Sequence, residues 1–123
     1  MTVVQSSEGH SVSFDIDGAV ATITIDRPDE MNRFRPEDLA RLGEIVEQLR
    51  GEHGVHAVIV TGVGELFSAG LLNPEIRASL PKEGVLDIVF LANRVFDALE
   101  ALPQIAIAAI NGPLMAGAVE LAL

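Results

Sequence analysis

Two apolar runs in this chain end abruptly in small residues, and that repetition confines the fold more than any other feature. Val55 to Thr61 gives way to Gly62-Val63-Gly64, and Gln104 to Ile110 gives way to Asn111-Gly112-Pro113. The first, rich in β-branched residues, reads as a buried strand, and the second as an apolar strand. Between them Val85, Ile88, Val89, Ala92, Val95, Phe96 and Leu99 fall on one helical stripe that stops before Pro103. Upstream, Pro36-Glu37-Asp38 opens a second helix, whose Leu39, Leu42, Val46 and Leu49 share a face and which ends near Gly51. Strands joined through helices need crossover connections, so the pattern predicts a layered α/β structure. Val12 to Asp17 and Ala19 to Asp26 flank Gly18 and predict an antiparallel pair at the start. Leu71 to Pro81 reads as a loop.

The second apolar run continues to the end of the sequence with a single charge in it. Ala116-Gly117-Ala118 reads as a helix start, where backbone N–H groups have no intrahelical acceptor. Glu120 follows Gly117 by three residues, which puts both on one helical face. Val119, Leu121, Ala122 and Leu123 leave no polar face, so the expectation is a helix buried nearly all round, with Glu120 inside it. The alternative is a first-turn acid favoured by the helix dipole and wetted by solvent. An amide that holds an oxyanion beside a carboxylate that moves a proton is a minimal kit for enolate chemistry.

Other chemistries fit less well. Gly62 and Gly64 begin a dinucleotide-like pattern, but Phe67 stands where its third glycine belongs. Leu66 rather than glycine precedes Ser68 by two positions, against a serine-hydrolase elbow. His10, His53 and His56 have no cysteine or carboxylate completing a ligand set, so no metal site is expected. Eighteen acidic against eight basic residues exclude the basic footprint of a nucleic-acid partner. Arg27, Arg33 and Arg35 are the clustered positive charges. No cysteine is present, so neither a disulfide framework nor a thiol nucleophile is available. No apolar run nears membrane-helix length and the first residues lack a signal pattern, which makes the cytoplasm the expected setting.

Three ordered segments together resemble the crotonase superfamily, the enoyl-CoA hydratases and isomerases. Gly64 to Gly70 matches its Gly-x-x-Phe-Ser-Ala-Gly loop. Asn111, Gly112, Gly117, Glu120, Leu121 and Ala122 match its second loop, and Arg27-Pro28 with Asn32 matches its Arg-Pro-x-x-x-Asn segment. The resemblance implies an α/β spiral of repeated ββα units. It makes residues 1–123 the N-terminal part of a single crotonase-like domain, truncated before a C-terminal helical region, an expectation strengthened by the apolar, uncapped end of the last helix and a hydrophobic content of 49%.

By the same resemblance, the backbone amides of Leu71 and Gly117 form an oxyanion hole for a thioester and Glu120 is the acid/base. Arg27, Met31, Asn32 and Ala69 belong to the coenzyme A side of the pocket. A coenzyme A thioester is then substrate rather than bound cofactor, and the intact protein is a homo-oligomer, trimeric or hexameric. Leu72 replaces the family's usual aspartate, Ala116 and Ala118 replace two glycines, Asp29 stands where several members carry lysine, and no carboxylate follows Glu120, although hydratases use two. Two readings therefore stand: an acyl-CoA hydratase or isomerase, or an inactive fragment or non-catalytic binding module of the same fold.

Overall fold

The computed structural model describes residues 2–4, through their backbone, and residues 11–123; His10 lies outside them. Strand β2 (Val12–Asp17) turns at Gly18 into β3 (Val20–Ile25), with Asp17 opposite Val20 across a two-residue connection. Gly18 has φ +62°, where a side chain would be strained and glycine is not. Strand β1 (Thr2–Val4) lies antiparallel to β2. Helix α1 (Pro36–Arg50) then carries the chain back to β4 (Ala57–Gly62), which pairs parallel with β3. Helices α2 (Pro74–Ser79) and α3 (Lys82–Glu100) lead to β5 (Ile105–Ala108), parallel to β4, and α4 (Gly117–Ala122) follows. The sheet runs β1-β2-β3-β4-β5, so the expected ββα unit appears as β2–β3–α1, followed by β4–α3 and β5–α4.

One face of this sheet is the core. Val12 and Phe14 of β2, Ile23 and Ile25 of β3, and Val58 and Val60 of β4 are buried, and they alternate with half-buried neighbours. Against them lies the α1 stripe of Leu39, Leu42, Val46 and Leu49, joined by Ile45, all essentially without solvent contact. Each such side chain contributes about 1.5–3 kcal/mol by leaving water. Helix α3 packs on α1, and the Phe34 ring meets Phe96 edge-on with centroids 6.2 Å apart. The Asp38 carboxylate accepts the Arg35 backbone N–H at 2.8 Å and fixes the start of α1; it also accepts two bonds from the Arg35 guanidinium at 3.3 Å, which raise the Arg35 pKa above its ordinary value.

Four expectations need correction. Strand β4, read as a buried strand, is buried on one face only: Val58 and Val60 are inside, while Ala57, Ile59 and Thr61 are half-buried, because helices cover one side of the sheet here. The second run forms a strand only over Ile105–Ala108, and Ile105 is 70% and Ile107 48% exposed. The span read as a loop contains α2, started by the Asn73 side chain accepting the Ile76 N–H at 2.9 Å. Finally, α4 is not buried all round. Ala118 and Leu121 face the core, while Val119, Glu120 and Leu123 are exposed. A carboxylate next to apolar residues can still face water when those neighbours face water too.

Candidate active site

The loop after β4 is held by polar side chains from two distant segments. Asn32 has no solvent exposure, and its amide nitrogen lies 2.9 to 3.2 Å from the carbonyls of Val63, Leu66 and Phe67. Its own oxygen accepts the Arg27 N–H at 2.7 Å. Asn32 and its neighbour Met31 both adopt left-handed backbone angles, φ +53° and +56°, which asparagine tolerates better than most residues. From the other side Asn111 accepts the Gly62 N–H at 3.1 Å and donates to the Gly64 and Leu66 carbonyls. Gly112 packs so closely on the Glu65 carbonyl that no side chain fits.

Ser68 continues the clasp. Its buried hydroxyl donates to the Asn32 carbonyl at 2.7 Å and accepts the Gly70 N–H at 3.1 Å. Backbone bonds then run outward in both directions. Ala69 N–H donates to the Met31 carbonyl and Phe34 N–H to the Gly70 carbonyl; Phe67 N–H donates to the Pro113 carbonyl and Met115 N–H to the Ser68 carbonyl. The loop is thus the middle of three strand-like segments, and the outer two are Met31–Phe34 and Pro113–Met115.

This packing brings Leu71 and Gly117 together. Gly70, at φ +102°, has space for no side chain: a Cβ there would stand 2.9 Å from the Gly117 nitrogen. A Cβ on Gly117 would in turn stand 3.1 Å from Leu71 Cγ. Among the hydrogen bonds of the described residues, neither the Leu71 nor the Gly117 N–H is a donor. Ala116 precedes Gly117 at φ +52°, ψ −130°, a conformation foreign to alanine that costs on the order of 1–3 kcal/mol and turns the chain sharply into α4.

Both residues border a cavity of about 260 Å³. Its walls are apolar, with Ala69, Leu72, Val85, Ile88 and Val89 beside them, and its charged groups are Arg33 and Arg77. Among the described residues no carboxylate lines it. Arg33 and Leu72 also border an adjoining space of about 120 Å³, lined in addition by Arg27, Arg35 and the carboxylate-bearing Glu30. The Arg27 Nε and Nη1 are buried without a hydrogen-bond partner among the described residues. Unpaired buried cationic atoms favour an anion nearby.

Of the coenzyme-side expectations, then, Ala69 lines the cavity and Arg27 the space beside it, Met31 is 40% exposed on the connecting loop, and Asn32 is part of the scaffold beneath. Glu120 stands apart from the two amides. It is exposed and lines a separate cleft of about 280 Å³ between α3 and β5, in the company of Asn93, Asp97 and Glu100. Gly117 and Glu120 therefore share a helix but border different cavities. Among the described residues no group of histidine, cysteine, aspartate or glutamate could hold a metal ion. His53 and His56 are exposed before the start of β4, at the end of that strand remote from the loop.

Sequence reading assigned no part to Asn111, Ser68 or Arg77. The first two were visible as polar residues inside apolar surroundings; Arg77 was hidden with α2.

Comparison with known proteins places this arrangement. The family described as enoyl-CoA hydratase/isomerase matches residues 15–123. YngF of Bacillus subtilis, an enoyl-CoA hydratase/isomerase by assignment, is 39% identical over 117 residues, covering 94% of this chain and 45% of its own. The short-chain-enoyl-CoA hydratase of Clostridium acetobutylicum is 34% identical, with 94% and 44% covered. The crystal structure of an enoyl-CoA hydratase from Bacillus anthracis superposes with a TM-score of 0.87 at 32% identity, covering 92% of this chain and 44% of the other. The chain thus spans less than half the length of the relatives it matches.

Proposed function

The chain belongs to the enoyl-CoA hydratase/isomerase family, and on that premise we propose that it binds an acyl-coenzyme A thioester with the thioester oxygen between the N–H groups of Leu71 and Gly117. One observation carries this reading: two backbone donors without acceptors, side by side at the mouth of an apolar cavity. Such donors stabilise negative charge on the oxygen, and so make the carbon next to the carbonyl more acidic. The coenzyme A moiety is bound as part of the substrate. Arg33, Arg77 and the half-buried Arg27 supply positive charge for its phosphates in a chain whose net charge is −10.

In this reading Glu120 moves the proton. It lies one turn beyond Gly117 and must turn from its own cleft towards the cavity when substrate is bound. A second reading, a binding module without catalysis, is favoured by the lack of any carboxylate in the cavity wall. Deuterium exchange separates the two. With butyryl-CoA in D2O, the catalytic reading expects exchange at the carbon next to the carbonyl, lost in Glu120→Gln while binding persists. Binding without exchange in the parent protein assigns the binding module.

The oxyanion site itself is tested by infrared spectroscopy of bound butyryl-CoA. The thioester carbonyl band moves to lower wavenumber on binding, and Gly117→Pro, which lacks one of the two donors, shifts it less. Circular dichroism must first show that the variant is folded. A bound but unshifted carbonyl in the parent overturns the assignment. Rapid hydration of crotonyl-CoA is not expected, since water addition calls for a second positioned acid/base and its loss costs about 10²–10⁴-fold. Exposed Ile105, Ile107 and Leu123 around β5 and α4 support self-association as part of the same proposal.

A further inference from the structure

The residue that offers one of the two amides also carries a side chain the amide does not need. Leu71 is fixed by a bridge to Phe34 and by the Gly70 carbonyl accepting the Phe34 N–H at 2.8 Å, so its backbone has little freedom. Its isobutyl group lies over Gly117: the position a Gly117 Cβ would take is 3.1 Å from Leu71 Cγ and 3.6 and 3.7 Å from the two methyl carbons. The same group forms part of the cavity wall. Whatever oxygen the two amides hold therefore has this side chain within van der Waals reach, and the bulk tolerated nearest that oxygen is the bulk of the carbon next to the carbonyl.

We propose that the Leu71 side chain is a specificity determinant that admits acyl thioesters with an unbranched carbon next to the carbonyl and rejects those carrying a methyl branch there. The inference rests on the oxyanion reading of the Leu71 and Gly117 amides. It adds the class of acyl group. The apolar remainder of the wall, Leu72, Val85, Ile88 and Val89, suits a hydrocarbon tail, so the discrimination acts at the first carbon rather than along the chain.

The discriminating test is the ratio of affinities for butyryl-CoA and 2-methylbutyryl-CoA, measured by calorimetry, because neither compound can be hydrated and no turnover is needed. A single methyl in an apolar pocket is worth about 10–200-fold in discrimination. The parent is expected to prefer the linear compound by at least about 10-fold. Leu71→Ala keeps the N–H and should bring the ratio close to unity, chiefly through tighter binding of the branched compound. Since truncating Leu71 could loosen the loop, Gly117→Ala tests the same contact from the opposite side. Gly117 is not at positive φ, and its new methyl would press on Leu71 alone. That variant should raise the preference for the linear compound, and Leu71→Ala combined with Gly117→Ala should return it towards the parent value. An unchanged ratio in all three variants, with butyryl-CoA still bound and its carbonyl band still shifted, overturns the specificity role and leaves the oxyanion reading in place. A parent that binds neither compound overturns both.

Discussion

The two amides that meet at the cavity come from regions built on opposite principles. Around Leu71 the chain is pinned by buried polar groups: Asn32 and Ser68 have no solvent exposure, and Asn111 adds bonds from the far side. Around Gly117 the chain is apolar and largely uncovered. Ile107, Ile110, Met115 and Val119 are each 40–52% exposed, and α4 is attached to the core through Ala118 and Leu121. Hydropathy would have ranked the second region as the deeper one. Directional bonds rather than apolar content hold the Leu71 half of the site in place, because a hydrogen bond fixes both distance and angle while apolar contact fixes neither.

That contrast can be broken by experiment. Asn32→Ala should be the most damaging change, costing about 3 kcal/mol, since it removes three bonds to loop carbonyls and leaves the buried one of Phe67 without its side-chain donor. Urea unfolding with an unchanged slope would read it, and a loss under 1 kcal/mol would mean that the loop has another anchor. Leu121→Ala should come next at about 2 kcal/mol, the low end for a leucine truncation because α4 is held at one side only. A cost equal to that of Asn32→Ala would erase the distinction between the regions. Ile105→Lys should alter stability by no more than about 0.5 kcal/mol, yet lower the apparent mass in light scattering, because it charges an exposed edge strand. Unfolding of this variant would show that β5 is covered after all.

The same division explains what could be read from the sequence. The α1 stripe and the later α3 residues Ala92, Val95, Phe96 and Leu99 lie where helical spacing put them, since α1 turns one side to the sheet and α3 packs on α1. The β2–β3 turn follows from Gly18 alone. Both loop segments were recognisable, and they do bring Leu71 beside Gly117. The exposure of Glu120 was not legible, because burial had been inferred from its neighbours' hydropathy and Val119 and Leu123 face outward. Nor was the scaffold role of Asn32, whose bonds reach carbonyls more than thirty residues away. Helix α2 could have been found: Asn73-Pro74-Glu75 carries a side-chain cap, a proline at the first position and an acid in the first turn.

The two asparagines converge on one carbonyl, that of Leu66, from sequence separations of 34 and 45 residues. The Asn32 closure is no wider than the β3–β4 ladder, where Val20 pairs with Ala57, whereas the Asn111 closure is wider. Because the entropy of chain closure grows with loop length, β2 to β4 and α1 can be in place before Asn111 reaches the loop. The juxtaposition of Leu71 and Gly117 then depends on the last of these closures, and is among the first features lost under mild denaturant.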